Sequence, residues 1–364
     1  MDRKCKKELE KFGMTVDDIT HVCIAPNLYP LLQYLLLMDD DIVFHHTCYF
    51  VNEIIPENIQ EQLPCIKFIY YGKKTTQEIH RRLSKLRLLF FKYLDYPFLK
   101  EAAVFAYDLP FLSLCIGKRP YSLLSDAPYW LTLNMQENSQ VYIRMQNHAN
   151  SLTGKLQRAV FGDLFVHYFG NNSQCEAVYL TEENVSPVLE GKTIFVNSLE
   201  SHWANASEQK RQFIMKLFNI TADDISLLQS RPNLFFSQPL LKDCGLTEAE
   251  YIDILDKIFK NYPKDSIIIK THPRDDFDYE RHYPDTVVFS KSVSSQFLQV
   301  MGISPKKLIT ISSTAIEGFP LSVECDYYGI HVHPKIERFF GEEYKPVRKV
   351  NSIEVNSIDE YYRN

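Results

Sequence analysis

Short apolar runs separated by longer stretches of helical period set the tightest limit on how this chain can fold. In the first half, Thr20–Ala25, Asp41–His45, Ile66–Tyr71, Ala102–Ala106 and Glu176–Leu180 have the length and composition of strands. Between them, Pro26–Met38 and Thr75–Leu94 space their apolar residues as helices do. The second half is clearer. Thr247 and Glu250 spell a capping box, and Ile252, Leu255, Ile258 and Phe259 share one face of a helix that runs to Tyr262, where Pro263 stops it. Ser266–Lys270 follows with three successive isoleucines, as expected of a strand buried on both sides. The series continues with strand Thr286–Ser290, a helix near Ser295–Met301, strand Leu308–Ile311, a helix from Ser313 and strand Tyr328–His333. Strands that alternate with helices need crossover connections, so the sheets are expected to be parallel and the class α/β. In 364 residues two such arrays fit, each a Rossmann-like domain. The polar stretch Thr181–Gly191, which contains Pro187, is the expected boundary, giving domains 1–185 and 186–364.

Composition removes several functions. The chain is 45% hydrophobic and 24% charged, which is a globular balance, and its net charge of −6 supplies no basic face for nucleic acid. Its 12 glycines never fall two apart, so the dinucleotide fingerprint is absent, and neither a P-loop nor a GxSxG elbow occurs. A phosphate must therefore be held by some other device. The eight cysteines form no CxxC pair and suit neither a disulfide framework nor a zinc site. Met1–Lys7 is polar and unlike a secretion signal, and the longest apolar stretch, Leu28–Met38, is broken by Pro30 and Gln33. It falls short of the roughly 20 residues that span a bilayer. A cytoplasmic protein with reduced thiols is expected.

Ligands of open parallel sheets bind beyond the carboxyl ends of the strands. Two strand ends carry chemistry. Lys270-Thr271-His272-Pro273-Arg274 places a histidine between two cations, and Pro273 fixes the backbone beside it, an arrangement suited to an anion. Ser312-Ser313-Thr314 puts three hydroxyls where a strand runs into a helix start, which also suits an anion, although plain capping uses the same residues. Together they point to the phosphate of a nucleotide-activated donor. Weaker features read as structure: Asp276-Phe277-Asp278 as a charged loop rather than a cation-binding DxD, and Asp39-Asp40-Asp41 as a solvated turn. His331 and His333 alternate on a strand with no third metal ligand in view. The stretch Arg81–Lys92 is basic and apolar together; burial on its own sheet is expected ahead of contact with an anionic membrane.

Lys270-Thr271-His272-Pro273-Arg274 followed by Ser312-Ser313-Thr314 resembles the His-Pro and Ser/Thr-rich motifs of bacterial sialyltransferases. The wider layout is similar to glycosyltransferase family 52, the lipooligosaccharide sialyltransferase group. Cys23-Ile24-Ala25-Pro26, Leu123-Leu124-Ser125-Asp126 and Phe236-Ser237-Gln238-Pro239 agree with it. The resemblance implies a GT-B fold, two Rossmann-like domains facing a central cleft. It also implies inverting transfer of sialic acid from CMP-sialic acid to a terminal sugar of a bacterial surface glycan, without metal or other cofactor. By this analogy His272 is the acid at the departing phosphate, and Lys270, Pro273, Arg274, Ser312, Ser313 and Thr314 bind the donor. Asp243 is the nearest match to the family's base, with Asp126 in reserve. The usual paired acids and glycine of the first domain are here Ser125-Asp126-Ala127. The analogy implies a glycan or glycolipid acceptor, and by analogy alone a homodimer and peripheral contact with the inner face of the cell membrane. The rivals are a GT-B transferase using another donor, such as CDP-glycerol or a UDP-sugar, and a non-catalytic sugar-nucleotide binder.

Overall fold

The computed structural model describes residues 3–52, 55–68, 86–272, 274–289, 293, 295–341, 346 and 348–352. They form two compact units, Met1–Leu217 and Phe218–Asn364. Both are α/β, and every recorded strand pairing in them is parallel. The end of the expected strand Ile66–Tyr71 and part of the helix expected over Thr75–Leu94 lie outside the described residues.

The first unit has seven strands: β1 His21–Ala25, β2 Thr47–Asn52, β3 Cys65–Phe68, β4 Ala103–Ala106, β5 Tyr121–Leu124, β6 Cys175–Leu180 and β7 Thr193–Val196. Their order is β3-β2-β1-β4-β5-β6-β7. The helix Leu28–Leu37 follows β1 because Asn27 caps it, accepting the Tyr29 N–H at 3.0 Å. All its residues from Tyr29 to Leu36 are buried, so the helix is fixed by core packing more than by propensity. The Gln33 amide spans two strand ends, donating to the Tyr179 carbonyl and accepting the Ser125 N–H.

The second unit has six strands: β8 Asn233–Phe236, β9 Ile267–Lys270, β10 Val287–Phe289, β11 Lys307–Thr310, β12 Glu324–Tyr327 and β13 Asn351–Ser352. Their order is β10-β9-β8-β11-β12-β13. The capping box read from sequence forms in both halves, and it starts the helix Glu248–Phe259. That helix buries Tyr251, Ile254, Leu255, Ile258 and Phe259 against Ile267 and Ile269 of β9 and their neighbours. Each such side chain contributes about 1.5–3 kcal/mol on burial.

Four expectations are corrected. Asp41–His45 is no strand: Ile42–His46 forms a wide helical turn with only Val43 buried, and the strand is the next segment, β2, whose six residues are all buried. A short apolar run cannot by itself tell these two states apart. Tyr328–His333 is no strand either. The strand lies earlier, at β12, and Ile330–Val332 is a 3-10 turn after Gly329. The helix expected from Ser313 is a five-residue 3-10 turn, Thr314–Gly318, which Pro320 follows closely. Finally, the chain divides after Leu217 rather than near 185. β7 pairs with β6, and buried Lys210 donates to the Met38 carbonyl and pairs with Asp40 at 2.8 Å, so residues 193–217 belong to the first unit. Asp40, expected as a solvated turn residue, is therefore a tether.

Candidate active site

Each sheet reverses its strand order once, and such a reversal opens a crevice beyond the carboxyl ends of the strands. In the second unit the reversal lies between β8 and β11. Ser237-Gln238 follows β8, Ser312-Ser313 follows β11, and the His272 segment follows the next strand, β9.

Lys270 ends β9 only 5% exposed. Its ammonium donates to the Thr271 carbonyl at 2.8 Å and stands 5.8 Å from the centre of the Phe289 ring. No carboxylate among the described residues supports the charge, and burial pushes the pKa down to about 8.

His272 is gripped from both sides. Its backbone N–H donates to the Ser237 hydroxyl at 3.0 Å, and its Nδ1 accepts the Arg274 backbone N–H at 3.1 Å. An amide N–H only donates, so Nδ1 carries no proton and Nε2 is the protonated nitrogen of the neutral ring. Burial lowers the imidazole pKa most, the cations Arg274 and Lys270 lower it further, and Asp243 opposes them. The ring is therefore a neutral donor through Nε2–H. Pro273 lies outside the described residues.

The loop that carries His272 is anchored behind it. Ser237 donates to Asp275 at 2.5 Å, Tyr279 donates to the same oxygen at 2.8 Å, and the Tyr279 and Tyr251 hydroxyls meet at 2.7 Å. Burial raises the Asp275 pKa against these hydrogen bonds. In front, Arg274 forks onto Asp243 at 2.9 and 2.8 Å and occupies both carboxylate oxygens. The structure thus brings Lys270, His272, Arg274 and Asp243 together. Asp278 of the DxD caps the short helix Tyr279–His282 by accepting the Arg281 N–H, and Phe277 before it is buried.

On the other side of the crevice, the Ser312 N–H and hydroxyl both donate to the Gln238 side-chain oxygen, at 3.2 and 3.0 Å. Ser313 donates its N–H to Thr310 and accepts the Ala315 N–H at 3.3 Å, capping the turn that Thr314 opens. The turn is too short to bring much helix dipole, so the hydroxyls and N–H groups remain the relevant donors.

Asp126 lies in the first unit, just beyond β5. Asn27, which follows β1 at that sheet's own reversal, donates to it at 2.5 Å, and Tyr107, which follows β4, also hydrogen-bonds to it. Burial raises its pKa. Two further acids that the sequence reading passed over, Glu182 and Glu200, act with Asp126 on the Tyr29 hydroxyl, which is bonded to Thr181 at 2.6 Å. Burial and Glu200 raise the pKa of Glu182. Ser237, Gln238 and Asp275 were missed as site residues too. The signal for the first two was their place directly after a strand.

Residues 143–336, more than half of the chain, match the model of glycosyltransferase family 52. The chain belongs to that family. An uncharacterised protein of Haemophilus influenzae is 34% identical over 174 residues, which cover 48% of this chain and 56% of that one. The match thus spans little more than half of the relative's length. Among solved structures, a 2,6-sialyltransferase of a Photobacterium species, crystallised with the donor product CMP and the acceptor lactose, aligns over 88% of this chain and 74% of its own, with TM-score 0.53 and 12% identity. The GT-B domain of a Photobacterium damselae sialyltransferase aligns over 85% and 90%, with TM-score 0.51 and 12% identity. These likenesses establish the GT-B fold for this member of the family.

Proposed function

We propose that the chain is an inverting, metal-independent sialyltransferase that moves sialic acid from CMP-sialic acid to a terminal sugar of a bacterial surface glycan. One observation carries this reading. At the strand-order reversal of the second unit, a buried ammonium with no carboxylate partner among the described residues and a neutral Nε2–H imidazole lie at the end of β9, and the Ser312 donors lie beyond β11, the two strands that flank β8, which suits a nucleotide phosphate held at these strand ends. Family membership supports a glycosyl donor, and the neighbour crystallised with CMP supports this choice of nucleotide.

In the reaction, an acceptor hydroxyl oxygen bonds to the anomeric carbon while the bond from that carbon to the phosphate oxygen breaks. Asp243 takes the hydroxyl proton. His272 presents Nε2–H to the departing phosphate, and the charge that accumulates there is met by Lys270 and the donors of Ser312, Ser313 and Thr314. The phosphate also competes for Arg274, and a guanidinium that turns to it releases Asp243 to act as base. Asp126, with Asn27 and Tyr107, belongs to the acceptor side in the first unit. A homodimer and contact with the inner face of the membrane belong to the same reading. Phe90 and Phe91, 71% and 52% exposed in the described part of Arg81–Lys92, support the membrane contact.

The test compares melting curves with CMP, CDP, UDP and GDP at matched concentrations. Saturation at 100 times the dissociation constant adds about 2.7 kcal/mol, and a CMP-selective rise is expected. A rise selective for UDP or CDP keeps the phosphate site but overturns the donor. No rise with any of them overturns the nucleotide site.

Lys270 gives the binding a pH signature. An anion favours the ammonium, and the free protein loses that proton near pH 8, so binding must recover the proton above that pH. From about pH 7, where the CMP phosphate is already mostly a dianion, the CMP dissociation constant is expected to rise, towards tenfold per pH unit above 8. Titration calorimetry on Lys270→Met should show weaker binding and no such rise.

A further inference from the structure

Gln238 follows β8 and Ser312 follows β11, the two strands between which the strand order reverses. One side chain spans that gap. The Gln238 amide oxygen accepts both the backbone N–H of Ser312 at 3.2 Å and its hydroxyl at 3.0 Å. The amide orientation is fixed by the first of these, because a backbone N–H can only donate and the atom it meets must be the oxygen. Ser312 is only 6% exposed, so leaving these donors unpaired would be costly, and the glutamine oxygen satisfies them. Pro239 and the turn after it hold the Gln238 backbone in place, with the Leu240 N–H donating to the Gln238 carbonyl at 2.8 Å.

A carbonyl oxygen that accepts from one N–H and one O–H has the geometry of a single phosphate oxygen. We propose that the Gln238 side chain is an internal stand-in for the donor's phosphate: it keeps the Ser312 donors occupied in the ligand-free protein and must be displaced when the nucleotide binds. The proposal rests on the phosphate site described under the proposed function, and adds to it a residue that sets how tightly that site holds an anion. The neutral amide is the appropriate chemistry. It competes with a phosphate oxygen weakly enough to be displaced, whereas a carboxylate in the same place would keep both donors and repel the incoming charge.

Titration calorimetry with CMP and with inorganic phosphate tests this on the intact chain. Gln238→Ala removes the competitor, and both ligands are expected to bind about three- to tenfold more tightly. Gln238→Glu is expected to bind both at least 30-fold more weakly at pH 7.5, and to recover part of the loss as the pH is lowered towards 5. A melting curve of each variant without ligand checks that it folds. Gln238→Leu, which keeps bulk but has no acceptor, should follow the alanine variant if alanine disturbs the loop. Equal affinities in wild type, alanine and glutamate variants would overturn the proposal, and so would weaker binding in both the alanine and leucine variants, which would make Gln238 a direct ligand of the anion. If the wild type and Lys270→Met bind neither ligand, the phosphate-site reading fails instead.

Discussion

His272→Ala is expected to lower kcat for sialyl transfer by about 10²–10⁴, the range in which a positioned proton donor contributes. The loss should fall mainly on kcat. In the structure the ring is a neutral Nε2–H donor, because its Nδ1 is committed to the Arg274 N–H and burial with two cations disfavours the charged form. Such a donor gains most when charge builds on the leaving phosphate, so its removal weakens the transition state more than the bound donor. His272→Asn and His272→Gln separate the two ways it can act. A side-chain amide donates a hydrogen bond but cannot give up a proton. Recovery of most of the activity in either variant would reduce His272 to a hydrogen-bond donor; continued loss would identify it as the acid. Near-normal turnover in His272→Ala, measured by CMP release, would remove His272 from the mechanism.

The fold was legible at β9 and the helix before it, whereas β7 and β8, just as short and largely apolar, were not read from the sequence. The three isoleucines of β9 and the capping box of Glu248–Phe259 could be placed from sequence because propensity, period and caps all agree there. Where they disagree, the reading shifted. Ile42–His46 is as apolar as a strand, yet its neighbour Thr47–Asn52 is the one that enters the sheet, between β3 and β1. The boundary was missed for a different reason. The polar stretch Thr181–Gly191 has the composition of a linker, but the chain after it is tied back to the first unit by an edge strand and by Lys210 with Asp40, partners far apart in sequence. No local pattern announces such a pair.

The candidate site divides the same way. Lys270, His272 and Arg274 were legible because they sit together at the end of one strand. Asp275 was visible only as part of a charged loop, and its role depends on Ser237 and Tyr279 arriving from elsewhere in the fold. Gln238 has no distinguishing chemistry in sequence. It matters because the strand order reverses beside it, and strand order is a property of the sheet and of no single segment.

Asp243→Asn is expected to lower kcat by about 10²–10⁴ while leaving the dissociation constant of CMP within a few fold of wild type. The asparagine keeps the shape of the side chain and an acceptor oxygen for Arg274, but it cannot take the proton of the acceptor hydroxyl. In the ligand-free protein both Asp243 oxygens belong to Arg274, so under the proposed mechanism the carboxylate becomes a base only once the guanidinium has another anion to hold. That order predicts an interaction between the two residues. Arg274→Ala should leave Asp243 permanently free and weaken donor binding, raising KM for the donor more than it lowers kcat. Asp126→Asn serves as the comparison, because Asp126 is buried with a raised pKa among the donors Asn27 and Tyr107. A residue that holds the acceptor should raise the acceptor KM with a smaller loss of kcat. If Asp126→Asn instead shows the larger loss of kcat, and loses the acid limb of the kcat/KM profile while Asp243→Asn retains it, the base is Asp126 and the Arg274–Asp243 fork is a structural tie.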